Sequence, residues 1–103
     1  MMRRPGDDLR VSVVICTYTE LRWRELTSAA RSIGDQTRRA DELILVIDHN
    51  NRLRRRAAAG HPQAKVITNA GSRGLSGARN SGVAAATGDV VAFLDDDAQA
   101  EPG

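Results

Sequence analysis

The chain has 103 residues, 41% of them hydrophobic and 27% charged, which suits one globular domain with a thin core. With 15 Lys and Arg against 13 Asp and Glu the net charge is only +2, so the chain is no polycation and its charge alone does not point to nucleic acid. A single cysteine, Cys16, excludes a disulfide framework and a paired-thiol metal site, and makes a reducing cytoplasm the simplest compartment.

Residues 1–10, with Arg3, Arg4, Asp7 and Asp8, read as a flexible N-terminal segment, and the domain is expected over residues 11–103. "VSVVIC" (Val11 to Cys16) is too short for a signal core or a membrane span. It is β-branched and almost continuously apolar, the pattern of a strand buried on both faces of a parallel sheet. Leu26, Ala29, Ala30 and Ile33 recur at helical spacing, which predicts a helix over Leu21 to Ile33 with Gly34 as its stop. "ELILVID" (Glu42 to Asp48) is a second apolar strand, and "RLRRRAAAG" a short helix ending at Gly60. "KVITN" (Lys65 to Asn69) makes a third strand. The Gly-rich "NAGSRGLSGARNSG" (Asn69 to Gly82) runs on through "VAAAT" as a small-residue helix, and "DVVAFL" (Asp89 to Leu94) gives a fourth, apolar strand.

Strands alternating with helices predict right-handed βαβ crossovers. The fold class is therefore α/β, a Rossmann-like parallel sheet of about four strands with helices on both faces. In such a sheet the segments that follow the strands gather at one edge, where ligands bind. Four polar segments land there: "TYTE" (Thr17 to Glu20), "DHNN" (Asp48 to Asn51), "NAGSRG", and "DDD" (Asp95 to Asp97).

The three adjacent carboxylates repel one another unless cations compensate. Carboxylate oxygens with no thiol or paired imidazole nearby favour Mg²⁺ or Mn²⁺ over Zn²⁺. In extended geometry Asp95 and Asp97 share one side and Asp96 takes the other, a D-x-D arrangement in which two oxygens reach one ion that in turn grips a diphosphate. Read alone, the triple is equally a solvated acidic turn or the N-cap of a following helix. Gly71, Gly74 and Gly77 let backbone approach a ligand, and Arg73 and Arg79 suit phosphate or a base carbonyl. No Gly-Lys-Ser/Thr follows, and the glycine spacing is not the dinucleotide fingerprint, which disfavours a dehydrogenase. Asp48 suits a ribose or base contact or, as plainly, a turn-forming Asx residue. Arg52 to Arg56 lack interleaved aromatics and read as a solvated helix face rather than a nucleic-acid patch. His49 and His61 have no metal-spaced partner and are expected at the surface, and Cys16 is read as a small packing residue.

Together these motifs resemble the N-terminal half of a family 2 glycosyltransferase of the GT-A fold. "VSVVICTYTE" is similar to that family's opening strand and TYN-type loop, with Cys16 where Pro is usual and Thr19 where Asn is usual. "QTRRADELILVIDHN" and "NAGSRGLSGARNSGVAAATGDVVAFLDDDA" resemble its later motifs in order and spacing, so the resemblance covers about Val11 to Pro102. It implies that Thr17, Tyr18 and Glu20 line the base and ribose of a nucleotide sugar. Asp48 would receive the base, commonly uracil, with Gly74 and Arg79 around the base or phosphates. Asp95 and Asp97 would take the metal places, with Asp95 and Asp96 also near the donor, and the departures at Cys16, Thr19 and His49 fall in the outer part of the base pocket.

The family's usual reaction is inverting transfer to an acceptor hydroxyl, assisted by a carboxylate base well downstream of D-x-D. No catalytic base is therefore expected up to Gly103, and the chain is expected to hold a donor-binding part that ends before the acceptor half, with little activity alone. The sugar and the acceptor, whether saccharide, lipid or small molecule, are open. The resemblance leaves room for membrane association of a longer parent, and for self-association through an uncovered fourth strand. The competing reading from another class is a non-catalytic remnant that acts as an interaction module.

Overall fold

In the computed structural model, which describes residues 9–34, 41–71 and 73–95, the four apolar runs are strands β1 (Val11–Thr17), β2 (Glu42–Ile47), β3 (Lys65–Thr68) and β4 (Val90–Asp95). They pair side by side, all parallel, in the order β3-β2-β1-β4. Three helices connect them: α1 (Trp23–Gly34), α2 (Asn51–Gly60) and α3 (Leu75–Ala85). None of the described helices is long and apolar enough to cross a membrane.

The two central strands explain the unbroken apolar runs. On β1 and β2, Val13, Ile15, Leu43, Leu45 and Ile47 point to one face, where Leu26, Ala29, Ala30 and Ile33 of α1 and Leu53 and Ala57 of α2 cover them. Val14, Ile44 and Val46 point to the other face, under Ala78 of α3. Successive side chains of a strand alternate, so only a strand covered on both sides keeps every position apolar. Ile15, Ile44, Leu45 and Ile47 are fully buried, each contributing about 1.5–3 kcal/mol.

Two expectations change, and the place of β4 in the sheet becomes clear. The helix foreseen from Leu21 begins as a single 3₁₀ turn, Glu20–Arg22, capped by Thr19, whose Oγ1 accepts from the Leu21 N–H at 3.2 Å. Leu21 is 93% exposed and contributes nothing to the core, and α1 itself starts at Trp23 and includes Gly34. β4 reads as apolar as the others yet lies at an edge of the sheet, leaving Val90 and Phe93 each 43% exposed. His61, expected at the surface, is buried at the end of α2: its ring sits 5.4 Å from that of Trp23, and its Nε2 lies 3.3 Å from Thr27 Oγ1 on α1. The Arg56 guanidinium lies 4.2 Å above the Trp23 ring, so α1 and α2 are joined by a stack of His61, Trp23 and Arg56.

At the amino edge of the sheet, Glu42 Oε1 accepts from Ser12 Oγ at 2.9 Å, from the Thr87 N–H at 2.9 Å and from Thr87 Oγ1 at 3.2 Å. The bond from the Thr87 N–H, helped by the Ser12 and Thr87 hydroxyls and Lys65, outweighs burial and holds the Glu42 carboxyl below its ordinary value. The Arg10 backbone is joined to the start of β4 as well, since Asp89 and Val90 N–H both donate to its carbonyl at 2.7 and 3.0 Å.

α3 lies close against the sheet because Gly82 carries no side chain. A Cβ there would come within 2.5 Å of Val14 Cγ1 and 3.3 Å of Val46 Cγ2. Gly82→Val should therefore destabilise the fold by about 3 kcal/mol through overpacking. Val83→Ala, at the exposed neighbour, should change it by less than about 0.5 kcal/mol. Urea denaturation midpoints compare the two, and equal shifts would show that α3 does not pack this tightly.

Burial, with the Arg31 charge second, lowers the pKa of His61 from its ordinary 6.5. The unfolded chain therefore takes up that proton first. The contribution is in place above pH 6.5 and is lost as pH falls from there through the folded-state value. The urea midpoint should drop between about pH 7.5 and about pH 5.5, and His61→Phe should remove that part of the slope. Parallel curves for the two proteins would rule this out.

Candidate nucleotide site at the carboxyl edge of the sheet

A cavity of about 560 Å³ opens at the edge where β1 and β2 end and α3 begins, within the range of small-molecule sites. Thr17 and Tyr18 line it after β1, Asp48, His49 and Asn50 after β2, and Arg73, Gly74 and Leu75 before and at the start of α3. The convergence follows from the parallel sheet, which delivers the loop after every strand to one edge.

The loops are tied to one another by side chains. Asn50 caps α2 by accepting from the Leu53 N–H at 3.0 Å, and its Nδ2 donates to the Tyr18 carbonyl at 3.3 Å, which joins the β1 and β2 loops. Asp48 Oδ1 accepts from Asn69 Nδ2 at 2.9 Å, and Oδ2 accepts from the Gly74 N–H at 2.8 Å. Asn69 Oδ1 in turn accepts from the Gly71 N–H at 2.9 Å and from Ser81 Oγ at 3.1 Å. The Gly-rich segment is thus strung from β2 to the body of α3. Gly74, at φ 123°, makes the turn that brings its N–H onto Asp48, a conformation that favours glycine.

Burial alone would raise the Asp48 pKa, but the bonds from Asn69, His49 and Gly74, together with the His49 charge, outweigh it, and the carboxyl is held below its ordinary 3.8. Its contribution to stability is therefore in place above pH 3.8 and is lost as pH falls through the folded-state value. Thr17 Oγ1 is buried with no hydrogen-bond partner among the described residues.

The residues singled out in the sequence divide. Thr17, Tyr18, Asp48 and Gly74 come together on the cavity. Glu20 does not line it: its carboxylate turns to α2, 3.6 Å from Arg52 Nε and 4.0 Å from Arg56 Nη1. Arg79 does not line it either. It borders a small adjoining pocket with Val14, Cys16, Leu75, Phe93 and Leu94, its guanidinium 5.4 Å from the centre of the Phe93 ring. Asp95 is the last residue of β4 and pairs in register with Cys16 of β1, a cavity residue, so its backbone stands at the same edge. Asp96 and Asp97 lie outside the described residues.

Among the described residues no three His, Cys, Asp or Glu side chains gather as a metal site. The side-chain donors that follow Leu94 in the sequence, Asp95, Asp96, Asp97, Gln99 and Glu101, are oxygen ligands, which fits a hard divalent cation. Arg22 was not foreseen as a cavity residue, and His49 and Asn50 were foreseen only as part of the edge segment "DHNN", with no contact of their own assigned. For His49 and Asn50 the signal was present, because "DHNN" follows directly on β2. For Arg22 no signal existed before the 3₁₀ turn was known.

Comparison with known proteins agrees with this geometry. The chain is 37% identical over 97 residues to glucosyl-dolichyl phosphate glucuronosyltransferase of Haloferax volcanii, covering 91% of this chain and 31% of that protein. It is also 37% identical over 94 residues to an uncharacterized glycosyltransferase of Nostoc sp., covering 86% of this chain and 28% of that one. The chain thus spans under a third of the length of the curated relatives it matches. Among solved structures it superposes on a mannosyltransferase from Pyrobaculum calidifontis in complex with GDP-Man and Mn²⁺, with a TM-score of 0.68 and 27% identity over 88% of this chain and 28% of that one. It shares its fold with S. aureus TarS, at a TM-score of 0.63 and 22% identity over 88% of this chain and 28% of that one. Residues 12–103 match the model of glycosyl transferase family 2, and the chain belongs to that family.

Proposed function

We propose that this chain forms the donor-binding part of a metal-dependent glycosyltransferase that takes its sugar from a uridine diphosphate sugar and passes it, with inversion, to an acceptor hydroxyl. The observation that carries the reading is the cavity of about 560 Å³ at the carboxyl edge, with its loops already tied together through Asp48, Asn69 and Asn50. A site fixed before its ligand arrives loses less ordering entropy on binding.

In this reading the base and ribose sit between Tyr18, Asp48 and Gly74, and Arg73 stands where a diphosphate leaves the cavity. Asp95 and Asp97 hold the divalent cation, with Asp96 supporting. When bound, that cation neutralises charge on the departing diphosphate as a Lewis acid. The mannosyltransferase structure, solved in complex with GDP-Man and Mn²⁺, supports the pairing of a nucleotide sugar with a divalent cation. Glu20 acts at one remove, through its ion pairs with α2, and Arg79 through the wall of the adjoining pocket. The acceptor and the catalytic base are assigned to other parts of a longer protein.

Calorimetric titration with UDP in the presence and absence of Mn²⁺ tests the proposal. Binding should strengthen by about tenfold or more with Mn²⁺, and Asp97→Ala should abolish that gain. Asp48→Ala should weaken UDP in both conditions and lower stability by about 2 kcal/mol, because the Asn69 amide and Gly74 N–H lose their acceptor. UDP binding that ignores both Mn²⁺ and Asp97 would overturn the metal-dependent reading.

A further inference from the structure

Asp48 stands where a base contact is assigned, yet most of its accepting capacity is already used. A carboxylate offers about four lone-pair sites, two on each oxygen. Oδ1 accepts from Asn69 Nδ2 at 2.9 Å and is bonded to His49 Nδ1 at 2.6 Å. Oδ2 accepts from the Gly74 N–H at 2.8 Å. With the carboxyl held ionised it only accepts, so His49 Nδ1 carries the proton and donates it. Counting donors among the described residues, one lone pair remains, on Oδ2.

His49 reaches that position at a conformational cost. It is the non-glycine residue in the left-handed region among the described residues, at φ 54°, which costs on the order of 1–2 kcal/mol. Such an outlier, lining a cavity and bonded to a buried carboxylate, points to a role in the site.

We propose that His49 is a specificity-determining residue: by filling Oδ1 of Asp48 it limits that carboxylate to a single N–H from the nucleobase, which selects uracil and rejects guanine. Uracil has one N–H on its pairing edge, N3–H, set between two carbonyls. Guanine presents N1–H and an exocyclic N2–H side by side, and a carboxylate meets both only when each oxygen has an acceptor position free. With Oδ1 occupied, the second guanine donor finds no acceptor on Asp48, whose side chain is only 9% exposed, and a donor left unpaired beside it is what discriminates. His49 acts through Asp48 and is a positioning residue. The inference rests on the reading of the cavity as a nucleotide site.

The experiment compares affinities for UDP, GDP and 3-methyl-UDP in the full 103-residue chain and in His49→Gly. Glycine accepts the left-handed backbone without cost, so this variant deletes the imidazole while relieving strain, and circular dichroism checks its fold. The chain should bind UDP at least about tenfold more tightly than GDP, and 3-methyl-UDP at least about tenfold more weakly than UDP. In His49→Gly the UDP:GDP ratio should narrow by about tenfold, mainly through tighter GDP. An unchanged ratio in a folded variant, or 3-methyl-UDP binding as well as UDP, would overturn the inference and leave the nucleotide site standing. Failure of the unaltered chain to bind any of the three would overturn both.

Discussion

The constraint on which the rest of the molecule depends is that β1 and β2 have no face left for water. Val14, Ile15, Ile44, Leu45, Val46 and Ile47 are all fully buried, three toward α1 and α2 and three toward α3. A strand in that position needs a helix on each side, and the chain supplies them by crossing over between parallel strands. The crossovers then deliver every post-strand loop to the same edge. The cavity is therefore a consequence of how the core is covered, and the loops need only be tied together to become a site.

β2 does that tying at both of its ends, through α3. At its amino end Glu42 accepts from the Thr87 N–H, just past the last turn of α3. At its carboxyl end Asp48 accepts from the Gly74 N–H, just before the first turn. Between them Gly82 lets the helix axis approach Val14 and Val46 closely. Two carboxylates and one missing side chain fix α3 at three points along the sheet. Each carboxylate is held mainly by bonds to backbone N–H and neutral side chains, which salt screens little, with the His49 charge beside Asp48 and Lys65 near Glu42 adding to them. Both are held below their ordinary pKa chiefly by those bonds, so the groups that place α3 are ionised well below neutral pH.

The strands and their order along the chain were legible because two-sided burial writes itself into composition, as in "VSVVIC" and "ELILVI". Spatial order was not, and "VVAFL" shows why: an apolar strand at an edge reads like one at the centre, although Val90 and Phe93 stay exposed. Leu21 misled for a related reason, since apolar spacing does not distinguish a helix residue from one in a solvent-facing turn before the helix. The edge loops were found from topology, and Thr17, Tyr18, Asp48 and Gly74 with them. Glu20 lies in one of those edge segments and Arg79 in the Gly-rich stretch after β3, but topology does not say which way a side chain turns, and that depends on what else can hold a charge nearby. Arg52 and Arg56 hold Glu20, and the Phe93 ring lies under Arg79. His61 could not be read as buried, because only tertiary contact with Trp23 and Thr27 gives a lone imidazole a place in a core.

The edge position of β4 also bears on why three carboxylates can follow it. At the tip of a strand buried on both faces, adjacent ionised groups would carry a large desolvation cost, and the fold would need a cation to exist at all. β4 pairs with β1 on one side only and is partly exposed along its length, so Asp95 ends a strand that water reaches. In the proposed function a cation would be bound there together with the diphosphate that shares it.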